Sequence, residues 1–177
     1  MELKHAILGL LSIRPMSGYD LGRAFTGSVA HFWHADQSQI YRTIDRLAAA
    51  GAIDTEVISQ DGKPDRKVHA LTDAGQTELN SWLSGPVETA RPKLPMLAQL
   101  FFVARLGRAD TERLLDEYEA QVRGELDRLR MIDVGDEKDA AAALQASTLR
   151  YGITMGESEL VWLGETRARL QGVEEWP

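Results

Sequence analysis

Apolar residues recur at helical spacing near the start of the chain and predict two short helices. The first helix has an apolar face formed by Leu3, Ile7, Leu10 and Leu11. It ends before Pro15, because the residue that precedes a proline is disfavoured in helical conformation. In the second helix Ser17 is the expected N-cap and Gly27 the expected end. The apolar contacts of this helix are expected from Tyr19, Leu21 and Phe25.

A third helix is predicted from about Gln37 to Ala50, with Asp36 as its N-cap and Gly51 just beyond its end. Its apolar positions follow the i, i+4, i+7 spacing of one helix face: Ile40, Ile44 and Leu47. The other faces therefore carry polar, aromatic and charged groups, which are Ser38, Gln39, Tyr41, Arg42, Asp45 and Arg46. Such side chains are typical of a surface that contacts base edges and phosphates.

After residue 51 the helical period gives way to a pattern typical of strands. Residues 52–58 and 66–71 predict two strands, and residues 60–65 have the composition of a hairpin turn. A further helix begins at Thr72-Asp73 and carries Leu79, Trp82 and Leu83 on one side. Three helices, a two-stranded hairpin and another helix, in that order, form a winged helix-turn-helix.

Beyond Ser84-Gly85-Pro86 the pattern is helical to the end of the chain. We predict a DNA-binding domain over residues 1–85, a linker over 86–95 and a helical domain over 96–177. The three helices of the last segment carry apolar stripes formed by Met96, Leu97, Leu100, Phe101 and Ala104, by Leu115, Tyr118, Val122, Leu126 and Leu129, and by Leu144, Thr148, Tyr151, Met155 and Trp162.

Stripes of this width are difficult to bury in one small bundle, so the expected partner is a second copy of the chain. Packing against the winged helix within a monomer is the alternative. The predicted fold class is mainly α with a small β-hairpin, in which an N-terminal winged helix-turn-helix is followed by a helical C-terminal dimerisation domain.

Composition excludes several classes of function. The 177 residues include no cysteine, which removes disulfides, thiolate nucleophiles and thiolate metal ligands. No apolar run is long enough for a membrane span, and no secretory signal is expected, so a cytoplasmic location is predicted. Neither a Ser-His-Asp signature nor a phosphate-binding glycine loop occurs, so the chain is not expected to be an enzyme or to use a cofactor. His31 and His34 have a spacing that metal ligands can use, but no third ligand accompanies them, and no metal is expected.

The net charge of −7 limits how the chain can bind DNA, because phosphate contacts dominate affinity for a duplex. Residues 1–85 hold 8 Lys and Arg against 10 Asp and Glu, and the remaining acidic excess lies in the C-terminal half. DNA contact must therefore come from a few well-placed cations. The acidic balance also leaves open a second interpretation, a protein-interaction module that uses a winged helix as its scaffold without specific DNA binding.

Three spaced motifs resemble the PadR-like transcriptional regulators. They are Ala6-Ile7-Leu8-Gly9-Leu10-Leu11 with Met16-Ser17-Gly18-Tyr19-Asp20-Leu21, then Ser38-Gln39-Ile40-Tyr41-Arg42-Thr43-Ile44, then Gly62-Lys63-Pro64-Asp65-Arg66-Lys67-Val68-His69-Ala70-Leu71-Thr72-Asp73-Ala74-Gly75. The long tail resembles that of the longer-chain branch, in which the tail forms the dimer. This resemblance implies a DNA-binding repressor, and some relatives are relieved by small aromatic or multidrug-like ligands. Lys63 and His69 depart from the arginine and the aromatic residue expected there.

The candidate DNA contacts lie on the third helix and the hairpin. Tyr41 and Arg42 are expected to hold a phosphate or a guanine edge, with Ser38, Gln39 and Arg46 nearby, and the alternative is an ordinary solvated helix face. In the wing, the cations expected to contact the sugar-phosphate backbone are Lys63, Arg66 and Lys67, and the alternative is a charged loop that serves solubility.

A candidate pocket for a small effector is drawn from four aromatic or flexible apolar side chains: Trp33, Tyr151, Met155 and Trp162. The alternative for Trp33 is ordinary core packing, and for the other three it is the core of the dimer. The expected partners are thus an operator in double-stranded DNA, a second copy of the chain and a small-molecule effector.

Overall fold

The computed structural model of the chain describes residues 2–27, 29, 33, 35–60, 62–87 and 93–176, without the side chains of Lys63 and Pro64. Two compact units result, Met1–Ala90 and Arg91–Pro177. His31 and His34, considered above as metal ligands, lie outside the described residues, as do residues 88–92 of the predicted linker.

The first unit is a winged helix-turn-helix built from four helices and a small antiparallel sheet. Its elements are, in chain order, α1 (Leu3–Ile13), β1 (Met16–Ser17), α2 (Gly18–Thr26), α3 (Gln37–Ala49), β2 (Ile53–Gln60), β3 (Lys63–Leu71) and α4 (Asp73–Leu83). The described strands are ordered β1-β3-β2, so β3 is central. Within the wing, Val57 lies opposite Lys67 and Ile58 opposite Arg66. This arrangement confirms the predicted fold and adds β1, which the sequence pattern did not predict.

The core of the first unit consists of the apolar faces that periodicity identifies. Ile7, Leu8, Leu21, Phe25 and Ile40 are almost completely buried, because α1, α2 and α3 pack around one centre. The predicted apolar contact of the Tyr19 side chain was wrong, since this side chain is 64% exposed. The tyrosine follows the N-terminus of α2, where the helix surface is turned toward solvent.

The start of α4 is fixed against the turn between α3 and β2. The Thr72 hydroxyl accepts a hydrogen bond from the Gly75 amide at 3.1 Å and donates one to the Gly51 carbonyl at 2.7 Å. A Cβ on Gly75 would lie only 2.0 Å from the Ala52 carbonyl oxygen, so only glycine permits this close approach. Helix α4 is thereby held beside the base of the wing.

In the described residues of the second unit every regular element is helical, and these elements are α5 (Pro95–Val103), a short 3₁₀ turn (Ala104–Leu106), α6 (Arg108–Arg130) and α7 (Ala140–Gln171). Helix α6 buries Leu115, Val122, Leu126 and Leu129, as its predicted stripe requires. Helix α7 packs on α6 through a different face from the predicted one, formed by Ala146, Leu149 and Leu163, with Gly156 close to Leu126. No helix in the described part of the chain is long and apolar enough to cross a bilayer.

Candidate nucleic-acid interface

Helix α3 presents a polar face because its apolar positions all point into the first unit. Its N-terminus is capped by Asp36, whose carboxylate accepts hydrogen bonds from the Gln39 amide at 2.8 Å and the Ser38 hydroxyl at 2.7 Å. These interactions hold the pKa of the Asp36 carboxyl below its usual value. The cap fixes the first turn of α3, so the side chains of Ser38 and Gln39 are held at the exposed start of the helix.

Two arginines extend along the exposed side of α3. Each Nε donates to a carbonyl of its own helix, from Arg42 to Ser38 and from Arg46 to Arg42, both at 3.2 Å. Within the part of the chain that the structure describes, the terminal nitrogens of both guanidinium groups have no carboxylate partner. Their charge is therefore available to an anion outside the protein.

Tyr41 leans from α3 onto the N-terminus of α2. Its Cε1 atom lies so close to Gly18 that a Cβ on that residue would be 2.5 Å away. The tyrosine ring is 43% exposed, so one side packs against the backbone of α2 and the other faces solvent. The absence of a side chain at Gly18 thus determines where the Tyr41 hydroxyl is held.

An open cleft of about 650 Å³ lies between α3, the start of α2 and the wing. Its polar lining combines hydroxyl, cationic and carboxylate groups, contributed by Ser17, Tyr19, Asp20, Tyr41, Asp45, Gln60, Asp65, Arg66, Lys67 and His69. Phenol hydroxyls, ammonium and guanidinium groups donate hydrogen bonds to phosphate oxygens, whereas the three carboxylates repel them. The cleft is therefore a surface of alternating sign and not a uniformly basic groove.

Arg66, one of the predicted wing contacts, is paired with a carboxylate of the same unit. Its Nη2 lies 2.7 Å from Oδ2 of Asp20. The same carboxylate accepts from the Ser17 hydroxyl at 2.6 Å and the Ser17 amide at 3.1 Å, while the Asp20 amide donates to the Ser17 hydroxyl. The two hydrogen bonds from Ser17, with the contribution of Arg66, lower the pKa of Asp20 to about 2. The pair is consequently ionised at any pH near neutrality.

Lys67, the next residue of β3, forms no ion pair within the described residues and lines the cleft. Below it His69 is only 5% exposed and its Nδ1 lies 2.9 Å from the Thr55 hydroxyl. Burial, together with the charge of Lys67, lowers the pKa of His69. The histidine therefore fills the place of the expected aromatic residue as a neutral, buried ring.

The residues proposed above for an effector pocket lie in both units. In the first unit, Trp33 is partly buried against the winged-helix core. On α7 of the second unit, Tyr151 is 64% exposed, Met155 is 45% exposed and Trp162 is partly buried. Among the described residues, no group of three or more His, Cys, Asp or Glu side chains is arranged to hold a metal ion.

Tyr19, Asp20 and Asp45 are among the cleft residues that sequence reasoning missed as members of a site. Tyr19 resembles a core residue in the sequence because aromatic side chains are usually buried in short helices. The Ser17-to-Asp20 spacing is that of a capping box, a signal that indicates the cap but not the ion pair with Arg66. Asp45 follows Tyr41 by one helical turn, so helical spacing alone places it on the same face.

Comparison with known proteins gives two family matches and two relatives. The transcriptional regulator PadR-like family matches residues 7–81, and a family described as the C-terminal part of virulence activator alpha matches residues 92–171. A probable transcriptional regulator of Mycobacterium tuberculosis is 34% identical over 189 residues, which cover 97% of this chain and 98% of that protein. The negative transcriptional regulator PadR of Bacillus subtilis is 36% identical over 118 residues, 65% of this chain and 64% of that protein.

Two crystal structures of the Bacillus subtilis protein extend the comparison. Its complex with operator DNA has a TM-score of 0.81 at 26% identity and covers 94% of this chain and 97% of its own. Its complex with p-coumaric acid has a TM-score of 0.76 at 25% identity and covers 96% of this chain and 98% of its own. The structural likeness therefore spans both units of the chain.

Proposed function

This chain belongs to the PadR-like family of transcriptional regulators, and we propose that it represses transcription as a homodimer bound to an inverted-repeat operator. Its proposed place of action is the cytoplasm, where it binds DNA without catalysing a reaction. The observation that carries this proposal is the exposed face of α3. It holds two guanidinium groups without a carboxylate partner among the described residues, and its Tyr41 and Asp45 line the cleft beside the wing.

In the proposed complex α3 enters the major groove with its N-terminal turns toward the base edges. Arg42 is long enough to make a bidentate contact with a guanine or to hold a phosphate. Tyr41, which is held on Gly18, offers its hydroxyl to the backbone at the edge of the groove. The α3 residues that we assign to DNA are Ser38, Gln39, Tyr41, Arg42 and Arg46.

The wing lies beside the same groove and adds positive charge from β3. Lys63 at the tip of the hairpin and Lys67 at the rim of the cleft are the proposed phosphate contacts. Arg66 belongs to the same group of wing cations, and in the free protein its charge is balanced by Asp20.

Dimerisation is supported by the apolar side chains that the second unit leaves exposed. Helix α5 has no buried residue, and its Phe101 side chain is 81% exposed. On α7 the predicted stripe of Leu144, Tyr151 and Met155 faces away from α6 and is also exposed. A second copy would cover these surfaces, since large exposed apolar patches are rare on monomers. Two α3 helices would then contact half-sites about one DNA turn apart or a multiple of it.

A small aromatic ligand is the proposed effector. The support is the complex of the Bacillus subtilis relative with p-coumaric acid. The candidate ligand contacts in this chain remain Trp33 of the first unit and Tyr151, Met155 and Trp162 of the second. A ligand changes the DNA affinity only if it binds the free and the DNA-bound forms with different affinities. Release of the operator therefore requires that the ligand favour the form with misaligned α3 helices.

Selection from a random duplex pool is the direct test of operator recognition. We expect the purified protein to enrich a palindromic sequence, and we expect p-coumaric acid or a related phenolic acid to weaken binding to it. Absence of any enriched sequence would refute the regulator mechanism, and duplex binding without sequence preference would favour the protein-interaction alternative. Identical operator affinity with and without every phenolic acid tested would refute the proposed effector class.

Substitution of Arg42 tests whether the exposed face of α3 contacts DNA. Arg42→Ala should weaken operator binding by about tenfold or more, because a bidentate base contact contributes about 1–3 kcal/mol. Arg23→Ala is the matched control, since it removes the same charge from the last turn of α2 and leaves the exposed face of α3 unchanged. Equal losses in the two variants would show that only net charge matters.

A further inference from the structure

Asp20 connects α2 with β3, and no backbone hydrogen bond of the described sheet joins these two elements. As the third residue of α2 it closes the capping box with Ser17, and through its carboxylate it also binds Arg66 of β3. The two residues are 46 positions apart in sequence. Because the capping box fixes the Asp20 side chain, the carboxylate is a rigid anchor for the wing strand.

The anchor lies on the part of β3 that extends beyond β1. The short strand β1 pairs with β3 only at Val68 and His69, through Ser17 and Met16. From Arg66 outward β3 has only β2 as a neighbour in the described sheet. The ion pair therefore adds an attachment of the wing to the helix-turn-helix two residues closer to its tip than the last paired position of β1.

Arg66 and Lys67 are neighbouring cations of the wing, but they differ in how readily their charge can interact with DNA. The positive charge of Arg66 is balanced at 2.7 Å by a carboxylate that stays ionised at neutral pH. Lys67 has no such partner among the described residues. Drawing Arg66 away to a phosphate would leave Asp20 unbalanced beside the DNA backbone, where it would repel the phosphates.

We propose that Arg66 is a positioning residue that holds the wing against α2 through Asp20, and that Lys67 supplies the phosphate contact. This assignment rests on the proposed function and deepens it. Arg66 thereby sets the separation of α3 and the wing, which must match the distance from the major groove to the adjacent backbone, while its charge contributes nothing to the release of counterions from DNA.

Charge-balanced substitution tests this assignment. Arg66→Gln alone leaves the Asp20 carboxylate unbalanced, so operator affinity should fall by roughly tenfold. The double variant Asp20→Asn/Arg66→Gln keeps the pair neutral and keeps a hydrogen bond between two amides. Its operator affinity should return to within about threefold of the unsubstituted protein, with an unchanged slope of log K against log salt concentration.

Lys67→Gln is the matched control on the same strand. It should reduce the salt slope by about one unit, because it removes a cation that has no carboxylate partner among the described residues. If instead the Asp20→Asn/Arg66→Gln protein binds as weakly as Arg66→Gln and its slope is lower by about one, Arg66 contacts a phosphate and the proposal fails.

Hydrogen exchange without DNA separates this proposal from the proposed function. Arg66→Gln should accelerate exchange of the β2 and β3 amides several-fold, and the double variant should restore their protection. Unchanged exchange in Arg66→Gln would overturn the positioning role even if operator binding were established. Conversely, a protein that binds no duplex but shows the expected exchange pattern would refute the proposed function and retain the connection between Asp20 and the wing.

Discussion

At the scale of single residues, the contact between Gly18 and Tyr41 joins the start of α2 to a candidate DNA-contacting side chain of α3. The tyrosine ring occupies the space that a side chain at position 18 would need. Because Tyr41 is partly exposed, it can rotate into solvent without opening a cavity in the core. A side chain at Gly18 should therefore alter the candidate site more than it alters the stability of the fold.

Gly18→Ala is expected to weaken operator binding about tenfold while the free energy of unfolding changes by less than about 1 kcal/mol, because the displaced group is a half-exposed ring and alanine favours the helix. Gly22→Ala on the same helix is the control, since a Cβ there meets no atom within 4 Å. That control should stabilise the protein by about 0.5–1 kcal/mol and leave DNA affinity unchanged. Urea unfolding and operator titration measure the two quantities, and a common effect of both variants on affinity would contradict this role of Gly18.

The sequence predicted the exposed side chains of the candidate site but not the ion pair beside them. The spacing of residues 38–46 predicted which side chains of α3 are exposed, because one helix fixes their relative directions. The pairing of Asp20 with Arg66 could not be predicted, since it depends on how β3 crosses the start of α2. A local capping signal explains Asp20 completely, so nothing in the sequence called for a second partner.

At the scale of elements, local signals predicted most helices well. The caps at Ser17 and Asp36, and the start of α4 at Thr72-Asp73, are where the sequence placed them, because a cap is a contact within four residues. Strand β1 escaped prediction because two residues carry no period, and it exists only through its pairing with β3.

Helix α7 shows a different limit of periodicity. It has two stripes, one that packs on α6 and one that remains exposed, and the sequence analysis identified the exposed stripe. The stripe that packs on α6 combines Leu149 and Leu163 with two small residues, Ala146 and Gly156, which allow close helix packing but contribute little to the hydrophobic pattern.

The contact of α4 with the base of the wing leads to a prediction about stability. Thr72→Val keeps the shape of the side chain but removes the hydroxyl that joins Gly75 and Gly51. The loss of a cap and a second hydrogen bond should cost about 1–2 kcal/mol of unfolding free energy, measured by urea unfolding.

The control for this prediction is Thr77→Val, which makes the same chemical change on the same helix. Thr77 is exposed and its hydroxyl donates only to the Asp73 carbonyl within α4. We expect a change within about 0.5 kcal/mol there. Similar destabilisation by both variants would mean that helix propensity, and not the attachment of α4, accounts for the effect.

At the scale of the whole molecule, the net charge of −7 disfavours DNA binding, so the affinity for an operator should depend on the presence of two DNA-binding surfaces in the dimer. Each first unit offers few unpaired cations, and its cleft also contains three carboxylates. One unit alone should therefore bind a half-site weakly. Linking two such units makes the second contact intramolecular and raises the overall affinity without any new kind of interaction.

Met155→Glu tests this dependence directly. The side chain lies on the exposed apolar stripe of α7, away from α6, so a charge there should leave the fold of the second unit intact. In a dimer the same charge would be buried without a partner, which is strongly unfavourable. We expect a monomer by sedimentation, an unchanged circular dichroism spectrum and operator affinity lower by about 10²–10⁴-fold.

Thr154→Glu introduces the same charge at the preceding residue, which is also exposed but lies about 100° around the helix from the stripe. This variant should remain dimeric and bind the operator with an affinity reduced only by its added negative charge. Because both proteins have equal net charge, general repulsion of DNA cannot distinguish them. A Met155→Glu protein that stays dimeric would show that the stripe is not the interface, whereas a monomer with undiminished operator affinity would show that one winged helix is sufficient.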